Sequence, residues 1–392
     1  MRPFLDFSQA KILIVDDVED NRDVLARRLR RQGLVNVQQA SDGLEALEKV
    51  RAEPFDLILL DVMMPRMNGI DALAALKEEG WLQTSSVVMI SAASEIETVV
   101  RCIELGAEDY LPKPFNPALL AARVGAVLER KLLRDMNRRQ LERLEQELAE
   151  AWLCQQSMLP SDFPVDPRQL DIFASVDPAL EVGGDLYDVF EVAPGLIALA
   201  IGDVAGKGAS AALFMARTRS LLRAGTLQFH AVSGRVPRPS EIVALVNDEL
   251  NKNNPQSRFV TLFLAFYELS TGRLSYCNAG HVYPILSNAA TVAELSTQPD
   301  PALGVIEGLD FHDHELLLAV GDCLFLTSDG LSDMQDFEQA QFGTENILTE
   351  IATNRGLPAG ELARAVLAKA QGFANGAAQF DDITVLVVRR LL

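Results

Sequence analysis

Apolar residues in the first 128 positions come in short runs separated by polar stretches with helical spacing. Five runs have strand character: Lys11–Asp16, Val35–Gln39, Phe55–Asp61, Val87–Ser91 and Asp109–Leu111. Helical spacing is clearest in Asn21–Arg31 and Gly43–Val50. Strands that are apolar on both faces and alternate with helices are typical of parallel sheets. The pattern therefore predicts a doubly wound, flavodoxin-like α/β domain with a five-stranded parallel sheet over residues 1–128.

Between residues 129 and 158 the pattern becomes that of one long helix without Gly or Pro. Leu141, Leu144, Leu148 and Ala151 follow the a and d spacing of a coiled coil. This apolar seam covers about two heptads, fewer than the three or four that identify a coiled coil from sequence. The pattern allows a parallel homodimer or a helix packed on its own chain, and we favour the homodimer. We expect this linker to continue the last helix of the first domain.

The third part, residues 159–392, mixes strand-like and helix-like segments. The predicted strands are Asp171–Val176, Leu196–Ile201, Phe259–Tyr267, Arg273–Asn278, Cys323–Thr327 and Ile383–Val388. The predicted helices are Ala209–Arg223, Ser240–Asn251 and Leu357–Ala374. Many strands with helices grouped between them predict an α+β domain, in which a β-sandwich is flanked by helices. Two prolines and a glycine in His230–Pro239 predict an exposed loop.

Composition and charge narrow the function. Hydrophobic residues make up 48% of the 392 residues, which is enough for folded cores. The net charge of −20 argues against nucleic acid as a partner, since phosphate backbones require basic surfaces. No apolar run reaches the length of a membrane helix, and Met1–Phe7 lacks the apolar region of a signal peptide. The four cysteines form no Cys-x-x-Cys pair. We therefore expect a cytoplasmic protein with reduced thiols.

Functional side chains follow the strands of the first domain at their carboxyl ends, where such sheets bind ligands. They are Asp16, Asp17, Asp61, Ser91 and Lys113. Asp16 and Asp17 offer oxygen ligands for a divalent cation, and Asp61 offers a nucleophilic carboxylate. Lys113 and Ser91 can neutralise and hydrogen-bond a transferred phosphoryl group. The set predicts a metal-assisted phosphoryl acceptor.

This region resembles a two-component response-regulator receiver domain. The matching motifs are Asp16–Asp17, Asp61 with Met64–Pro65 and Gly69, Ser91–Ala92, and Lys113–Pro114. The resemblance implies phosphorylation of Asp61 by a histidine kinase or phosphotransfer protein. It also implies a Mg²⁺ ion held by Asp16, Asp17, Asp61 and the main-chain carbonyl of Met63. Ser91 and Tyr110 match the pair that reports phosphorylation to the domain surface, beside Lys113.

Four aspartates in the last two hundred residues lie at the ends of apolar runs: Asp185, Asp203, Asp329 and Asp381. Isolated loop aspartates are usually solvated turn residues. Carboxylates at the ends of core strands must instead be paired or bind metal, because the unpaired burial of charge is unfavourable. Their hard oxygen atoms suit Mg²⁺ or Mn²⁺.

This part resembles the PPM-type serine/threonine phosphatases, in the bacterial SpoIIE/RsbU-like branch. The matching segments are Gln155–Pro160, Val182–Asp185, Gly202–Gly208, Arg258–Thr261, Asn278–His281, Leu303–Gly304, Ser328–Gly330 and Asp381–Thr384. The resemblance implies two Mn²⁺ or Mg²⁺ ions bridged by Asp203. Asp329 and Asp381 would complete one site, and Asp185 and the Val204 carbonyl would serve the other. Either Asp381 or Asp382 could be the ligand, with the other behind it.

Three further side chains in this part have open roles. Lys207 stands where many relatives carry a histidine, so a general acid there is in doubt, and the lysine could hold phosphate instead. His281 could contact phosphate or act as an acid, but its Gly-containing turn favours a structural hydrogen bond. Arg258 could bind phosphate or form a surface ion pair.

Together these features predict a response regulator whose output domain is a metal-dependent protein phosphatase controlled at Asp61. By resemblance, its substrate would be a phosphorylated anti-sigma-factor antagonist. One alternative is a phosphorylation-controlled adaptor with a catalytically weak phosphatase-like domain, although the retained aspartates argue against it. A receiver-gated hydrolase of small phosphorylated molecules is a third possibility.

Overall fold

A computed structural model describes residues 7–92 and 96–392 of the chain. Most of the N-terminal segment in which we predicted no signal peptide lies outside these residues. The chain divides into two compact units, the first ending at Leu144 and the second beginning at Glu145. The three-part division at residues 128 and 158 stays a prediction, since the change of unit falls inside the predicted linker.

The first unit contains a five-stranded parallel sheet in the order β2-β1-β3-β4-β5. Its strands are β1 (Ile12–Val15), β2 (Val37–Ala40), β3 (Leu57–Asp61), β4 (Ser86–Ala92) and β5 (Asp109–Lys113). The helices are α1 (Glu19–Arg31), α2 (Gly43–Ala52), α3 (Gly69–Glu78), α4 (Ile96–Leu105) and the first part of α5 (Pro117–Met158). This order confirms the predicted doubly wound α/β fold.

Both faces of this sheet are buried, as its continuous apolar strands require. On one face, Leu13 and Leu60 pack with residues of α2 and α3 such as Leu47 and Leu73. On the other face, strand residues pack against α1 and the first turns of α5. Helices therefore cover the sheet on both sides and leave its carboxyl edge as the place where polar groups can gather.

Helix α5 is a single helix of 42 residues. It begins after Asn116, whose Oδ1 accepts the backbone N–H groups of Ala118 and Leu119 and so caps the first turn. Its length confirms that the linker continues the last helix of the first unit. Leu141 and Leu144 on the predicted seam are 60% and 51% exposed, so their burial in a homodimer stays a prediction. Within the described ranges, no helix combines the length and apolar character needed to cross a membrane.

The second unit contains two five-stranded sheets, in the orders β13-β10-β9-β8-β7 and β12-β11-β14-β15-β6. The strands of the first sheet are β7 (Leu186–Ala193), β8 (Leu196–Val204), β9 (Val260–Glu268), β10 (Arg273–Ala279) and β13 (His314–Leu317). Those of the second are β6 (Leu170–Asp177), β11 (Ile285–Ser287), β12 (Val292–Glu294), β14 (Cys323–Thr327) and β15 (Ile383–Arg390). The helices are α6 (Ala209–Ser233), α7 (Pro239–Asn251), α8 (Asp329–Ser332), α9 (Gly343–Thr353) and α10 (Ala359–Ala374).

The two sheets pack face to face around one apolar core. Leu199 and Phe263 from the first sheet meet Leu326 and Leu386 from the second in that core. Each outer face is covered by helices, α6 and α7 on one side and α9 and α10 on the other. This arrangement confirms the predicted β-sandwich flanked by helices.

One predicted loop in the second unit was wrong in part. Helix α6 continues through His230–Ser233, which we had placed in an exposed loop. The helix ends only where Gly234 takes a left-handed conformation with φ 68° and its N–H donates to His230 O at 3.0 Å. The glycine, and not the composition of the segment before it, therefore sets the end of the helix.

Candidate functional site

The receiver aspartates form a compact cluster at the carboxyl edge of the parallel sheet. Asp16 follows β1, Asp17 is next to it, and Asp61 ends β3. One ligand oxygen from each lies within 4.8 Å of the others, and Asp17 alone of the three is exposed. Among the residues the structure describes, no second group of three acidic, histidine or cysteine side chains comes so close together. The predicted cation ligands of this unit are thus brought together.

Lys113 supplies positive charge to this cluster. Its Nζ lies 2.9 Å from Asp16 Oδ2 and 2.9 Å from Asp61 Oδ2. Burial raises the pKa of Asp61, although contact with Lys113 works in the opposite direction. For Lys113, burial disfavours the charged form, but the hydrogen bonds to Asp61 and Asp16 prevail and raise its pKa. Lys113 therefore offsets part of the negative charge of the three aspartates in the absence of a ligand.

The other predicted receiver residues are Ser91, Tyr110 and Met63, and their roles stay predictions. Ser91 is buried at the end of β4, one position after the residue that pairs with Asp61. Tyr110 lies at the surface, with the Arg123 guanidinium 5.6 Å from its ring centroid. Met63 is 69% exposed, two positions after Asp61. The use of its main-chain carbonyl as a cation ligand stays a prediction.

In the second unit, the four predicted aspartates come from four different strand ends. Asp185 precedes β7, Asp203 lies near the end of β8, Asp329 begins α8 after β14, and Asp381 precedes β15. Both carboxylate oxygens of Asp185 are buried without a hydrogen-bond partner. A buried carboxylate in that state needs a cation or a proton, because unpaired charge is strongly unfavourable in the interior.

Burial, with mutual repulsion as the second cause, raises the pKa values of Asp185, Asp203 and Asp329. Burial, followed by the negative charge of Asp203, raises the pKa of Asp185 well above its usual value. Burial, followed by the charge of Asp329, raises the pKa of Asp203 to about 6. Burial and Asp381 raise the pKa of Asp329 as well. The aspartates therefore share one electrostatic environment, although no three of them reach the close spacing of the receiver cluster in the part of the chain that is described.

The adjacent residues Asp381 and Asp382 have different surroundings. The Asp382 carboxylate accepts backbone N–H groups of Ala179 and Gly184 at 2.8 and 2.6 Å. Asp382 is buried, whereas Asp381 is partly exposed and has its Oδ2 3.4 Å from Lys207 Nζ. Both oxygens of Asp382 thus hold backbone, whereas Asp381 accepts the Asp382 N–H at Oδ1, at 2.9 Å, and faces Lys207 with Oδ2. The choice of Asp381 as the ligand stays a prediction.

The turn after β14 lies directly against these two residues. A Cβ atom on Gly330 would lie 2.0 Å from the Asp382 carbonyl oxygen, so only glycine fits beside Asp329. Ser328 Oγ donates to the same carbonyl at 3.1 Å and accepts the N–H of Thr384 at 2.9 Å. Hydrogen bonds therefore join the segment that carries Asp329 to the segment that carries Asp381.

Two basic side chains lie at the loop between β8 and α6. Lys207 donates to Phe380 O, and its Nζ lies 4.0 Å from the Phe380 ring centroid. Arg258 donates to Ala205 O at 3.0 Å and to Ser210 Oγ at 2.7 Å. The arginine thus braces the loop through neutral oxygens, which is not the surface ion pair that we had considered.

His281 is held inside the domain. Its ring Nδ1 lies 2.9 Å from Thr261 Oγ1, and its backbone N–H donates to Asn278 Oδ1 at 2.8 Å. Burial lowers its pKa to about 4, so the ring is neutral at pH 7. These contacts match the structural hydrogen-bonding role better than that of an acid.

Gln155 is a residue whose role the sequence pattern missed. It lies in the last turns of α5, within the second unit, and is only 6% exposed. Its Nε2 donates to Gly183 O at 2.7 Å, and its Oε1 accepts the Gly183 N–H at 3.2 Å. The one signal in the sequence was a glutamine in the segment that resembles a phosphatase motif, without any indication of its partner.

Comparisons with known proteins agree with this geometry. A model described as "Response regulator receiver domain" matches residues 12–125, and one described as "Stage II sporulation protein E (SpoIIE)" matches residues 193–391, half of the chain. Protein IcfG of Synechocystis sp. is 30% identical over 264 residues, which is 62% of this chain and 41% of that protein. The transcriptional regulatory protein CpxR of Escherichia coli is 46% identical over 120 residues, covering 31% and 50%.

A solved structure supports the fold of the second unit. The SiaA-PP2C domain of Pseudomonas aeruginosa aligns with a TM-score of 0.55 at 22% identity, covering 64% of this chain and 97% of that one. The chain spans half or less of the length of the two curated relatives named above. At this identity the structural likeness concerns the fold.

Fold and motifs together define a response-regulator receiver domain fused to a PPM-type phosphatase domain. The chain belongs to the SpoIIE family.

Proposed function

We propose that the second unit is a metal-dependent phosphatase of phosphoserine or phosphothreonine in proteins. Asp203 would bridge two Mn²⁺ or Mg²⁺ ions, with Asp329 and Asp381 on one ion and Asp185 and the Val204 carbonyl on the other. The observation that carries this proposal is the buried Asp185 carboxylate, whose two oxygens have no hydrogen-bond partner. Such a donor set of hard oxygens fits divalent cations. Two cations bound there would supply a hydroxide nucleophile at neutral pH and neutralise phosphate charge.

The surrounding side chains orient the reacting groups. Asp382 holds the backbone of Ala179 and Gly184 and so belongs to the frame of the site. Lys207, beside Asp381, can turn its ammonium towards a substrate phosphate. Arg258 keeps the loop that carries Lys207 in place. Neutral His281 supports the floor of the site through Thr261.

We propose that the first unit controls this activity through phosphorylation of Asp61 by a histidine kinase or phosphotransfer protein. Its support is the cluster of Asp16, Asp17 and Asp61, with Met63 able to add its main-chain carbonyl to a Mg²⁺ site. Lys113 would form an ion pair with the phosphoryl group. Ser91 and Tyr110 would transmit the phosphorylation of Asp61 to the domain surface. A tenfold to hundredfold change in activity needs coupling of only about 1.4–2.8 kcal/mol.

The partners complete the proposal. We propose a phosphorylated anti-sigma-factor antagonist as substrate, supported by membership of the SpoIIE family. We also propose that the chain acts in the cytoplasm as a homodimer through the exposed leucines of α5.

The decisive experiment measures Mn²⁺-dependent hydrolysis of a phosphoserine peptide by the full chain, with and without beryllofluoride on Asp61. We expect turnover that a chelator abolishes and beryllofluoride changes. If the folded protein binds beryllofluoride but hydrolyses neither the peptide nor a phosphorylated anti-sigma-factor antagonist, the phosphatase proposal is wrong and an adaptor role is favoured.

The homodimer has a separate test. Replacing Leu144 and Leu148 with Ala should lower the molar mass measured by light scattering from a dimer to a monomer at micromolar concentration. Leu153→Ala is the matched control, because Leu153 is 68% exposed and lies off the predicted seam. Equal masses for wild type and the double variant would contradict the coiled coil.

A further inference from the structure

A glutamine side chain connects α5 to the segment that carries Asp185. Gln155 is buried, and its amide forms a two-point pair with the backbone of Gly183, at 2.7 Å from Nε2 to O and 3.2 Å from N to Oε1. A buried glutamine needs partners for both ends of its amide, and here one backbone residue supplies both. Gly183 lies two positions before Asp185.

The same segment is held from its opposite side by Asp382. That carboxylate accepts the N–H groups of Ala179 and Gly184. A Cβ atom on residue 183 would lie 2.5 Å from Asp382 Oδ2, so the close approach depends on Gly183 having no side chain. The segment is thus hydrogen-bonded to helix α5 through Gln155 and to the residue before β15 through Asp382. Gln155 pairs with both the N–H and the carbonyl of Gly183.

Asp185 has weaker support of its own. Neither of its oxygens makes a hydrogen bond of good geometry. The hydroxyl groups of Ser328 and Thr384 lie close enough to lower its pKa, but burial and the charge of Asp203 outweigh them and raise it. Its position is set by the backbone on which it stands. The hydrogen bonds at residues 183 and 184 are the nearest fixed points before it in the chain.

We propose that Gln155 is a positioning residue for cation binding, which holds Gly183 so that the Asp185 carboxylate is directed into the metal centre. This inference rests on the proposed two-cation phosphatase. Groups that orient metal ligands typically change metal affinity or activity by about 10- to 100-fold when they are removed. The role requires a donor and an acceptor in one side chain of this length, which only glutamine offers here.

The test compares Gln155→Met with Gln156→Met in the full chain. Methionine keeps the length and helix propensity of glutamine but removes both hydrogen bonds. Gln156 is the matched control, because it is the exposed neighbour on the same helix. Mn²⁺ affinity is measured by isothermal titration calorimetry, and hydrogen exchange of residues 178–186 is followed in the metal-free protein.

We expect Gln155→Met to bind Mn²⁺ about tenfold more weakly than wild type and to exchange faster over residues 178–186. Saturating Mn²⁺ should restore most of kcat, since Gln155 touches no reacting atom. Gln156→Met should match wild type in all three measurements. If Gln155→Met does not fold, Gln155→Ala takes its place, because alanine removes the same bonds without adding bulk.

Equal Mn²⁺ affinity and equal exchange in the Gln155 and Gln156 variants would overturn the positioning role. Weaker affinity with a wild-type exchange rate would also overturn it, because the segment would then not depend on Gln155. Failure of the proposed function looks different, since wild type itself would then neither bind Mn²⁺ in the second unit nor hydrolyse phosphoserine.

Discussion

The two acidic centres of this chain solve the same electrostatic problem differently. In the receiver, Asp16 and Asp61 share the ammonium group of Lys113 at 2.9 Å. In the phosphatase domain, Asp185 is buried with no partner for either oxygen, and Asp203 has a pKa raised to about 6. The lysine of the receiver lies between two buried carboxylates, whereas Lys207 of the second centre faces only the partly exposed Asp381 and leaves Asp185 without a countercharge.

This difference indicates how each centre can be controlled. Because an internal lysine offsets part of the charge in the receiver, we expect the arrival of a phosphoryl group to be the event that changes it. The phosphatase aspartates repel one another until a cation binds, so their arrangement responds to whatever positions the ligands. We therefore expect metal binding to be the sensitive step in the second unit.

The largest expected effect comes from removing Asp203, the proposed shared ligand of the two cations in the phosphatase domain. Asp203→Asn should lower phosphoserine hydrolysis on the order of a thousandfold, because both proposed cations lose a negative ligand. Hydrolysis is measured at saturating Mn²⁺, with the exposed Asp162→Asn as control. Turnover within a few fold of wild type would mean that Asp203 is not the bridging ligand.

A substitution in the receiver cluster should change the regulation of the phosphatase and leave its basal activity intact. Asp61→Asn should abolish the tenfold to hundredfold response to phosphodonor, about 1.4–2.8 kcal/mol of coupling, while Mn²⁺-dependent basal hydrolysis remains. The measurement is hydrolysis with and without acetyl phosphate. A variant that still responds would place the phosphoacceptor elsewhere.

Much of this comparison could be predicted from sequence. Asp16, Asp61, Asp203 and Asp329 each end or follow a buried strand. The carboxyl ends of parallel strands converge by topology, which brings Asp16 and Asp61 together, but this rule does not apply to the antiparallel strands before Asp203 and Asp329. The continuity of α5 followed from the absence of Gly and Pro after Gly125. Local pattern therefore identified the elements and the acidic residues on them.

What could not be predicted depends on contacts between distant segments. Adjacent Asp381 and Asp382 look alike in sequence, yet only Asp382 meets the N–H groups of Ala179 and Gly184, about two hundred positions away. The hydrogen bonds between Gln155 and Gly183 are equally non-local.

Strand β7 was not predicted because Asp188 and Glu191 interrupt its apolar pattern. In the structure, the buried Asp188 is paired with Arg223 from α6.

Removing the Lys113 ammonium should make the stability of the receiver depend on a bound cation, as we expect for the phosphatase centre. Lys113→Met leaves Asp16 and Asp61 without their shared cation and should destabilise the first unit by about 2 kcal/mol in metal-free buffer. Mg²⁺ should then stabilise the variant more than wild type. Chemical denaturation with and without Mg²⁺ measures both, and an equal Mg²⁺ effect in the two proteins would show that Lys113 does not balance the cluster.

The smallest expected effect is the pH dependence of metal binding in the second unit. Because the pKa of Asp203 is raised to about 6 in the metal-free fold, it holds a proton at pH 5 and is ionised at pH 7.5. An acid with a raised pKa stabilises the fold below its unfolded pKa, and that contribution is lost as pH rises through about 6. A cation must displace the proton at pH 5, so Mn²⁺ should bind up to about tenfold more weakly there, a difference of about 1.4 kcal/mol.

Mn²⁺-induced stabilisation is measured by thermal unfolding at both pH values, with Asp203→Asn as control. An Mn²⁺ effect that is as large at pH 5 as at pH 7.5 would mean that the repulsion among these aspartates is already relieved in the metal-free protein.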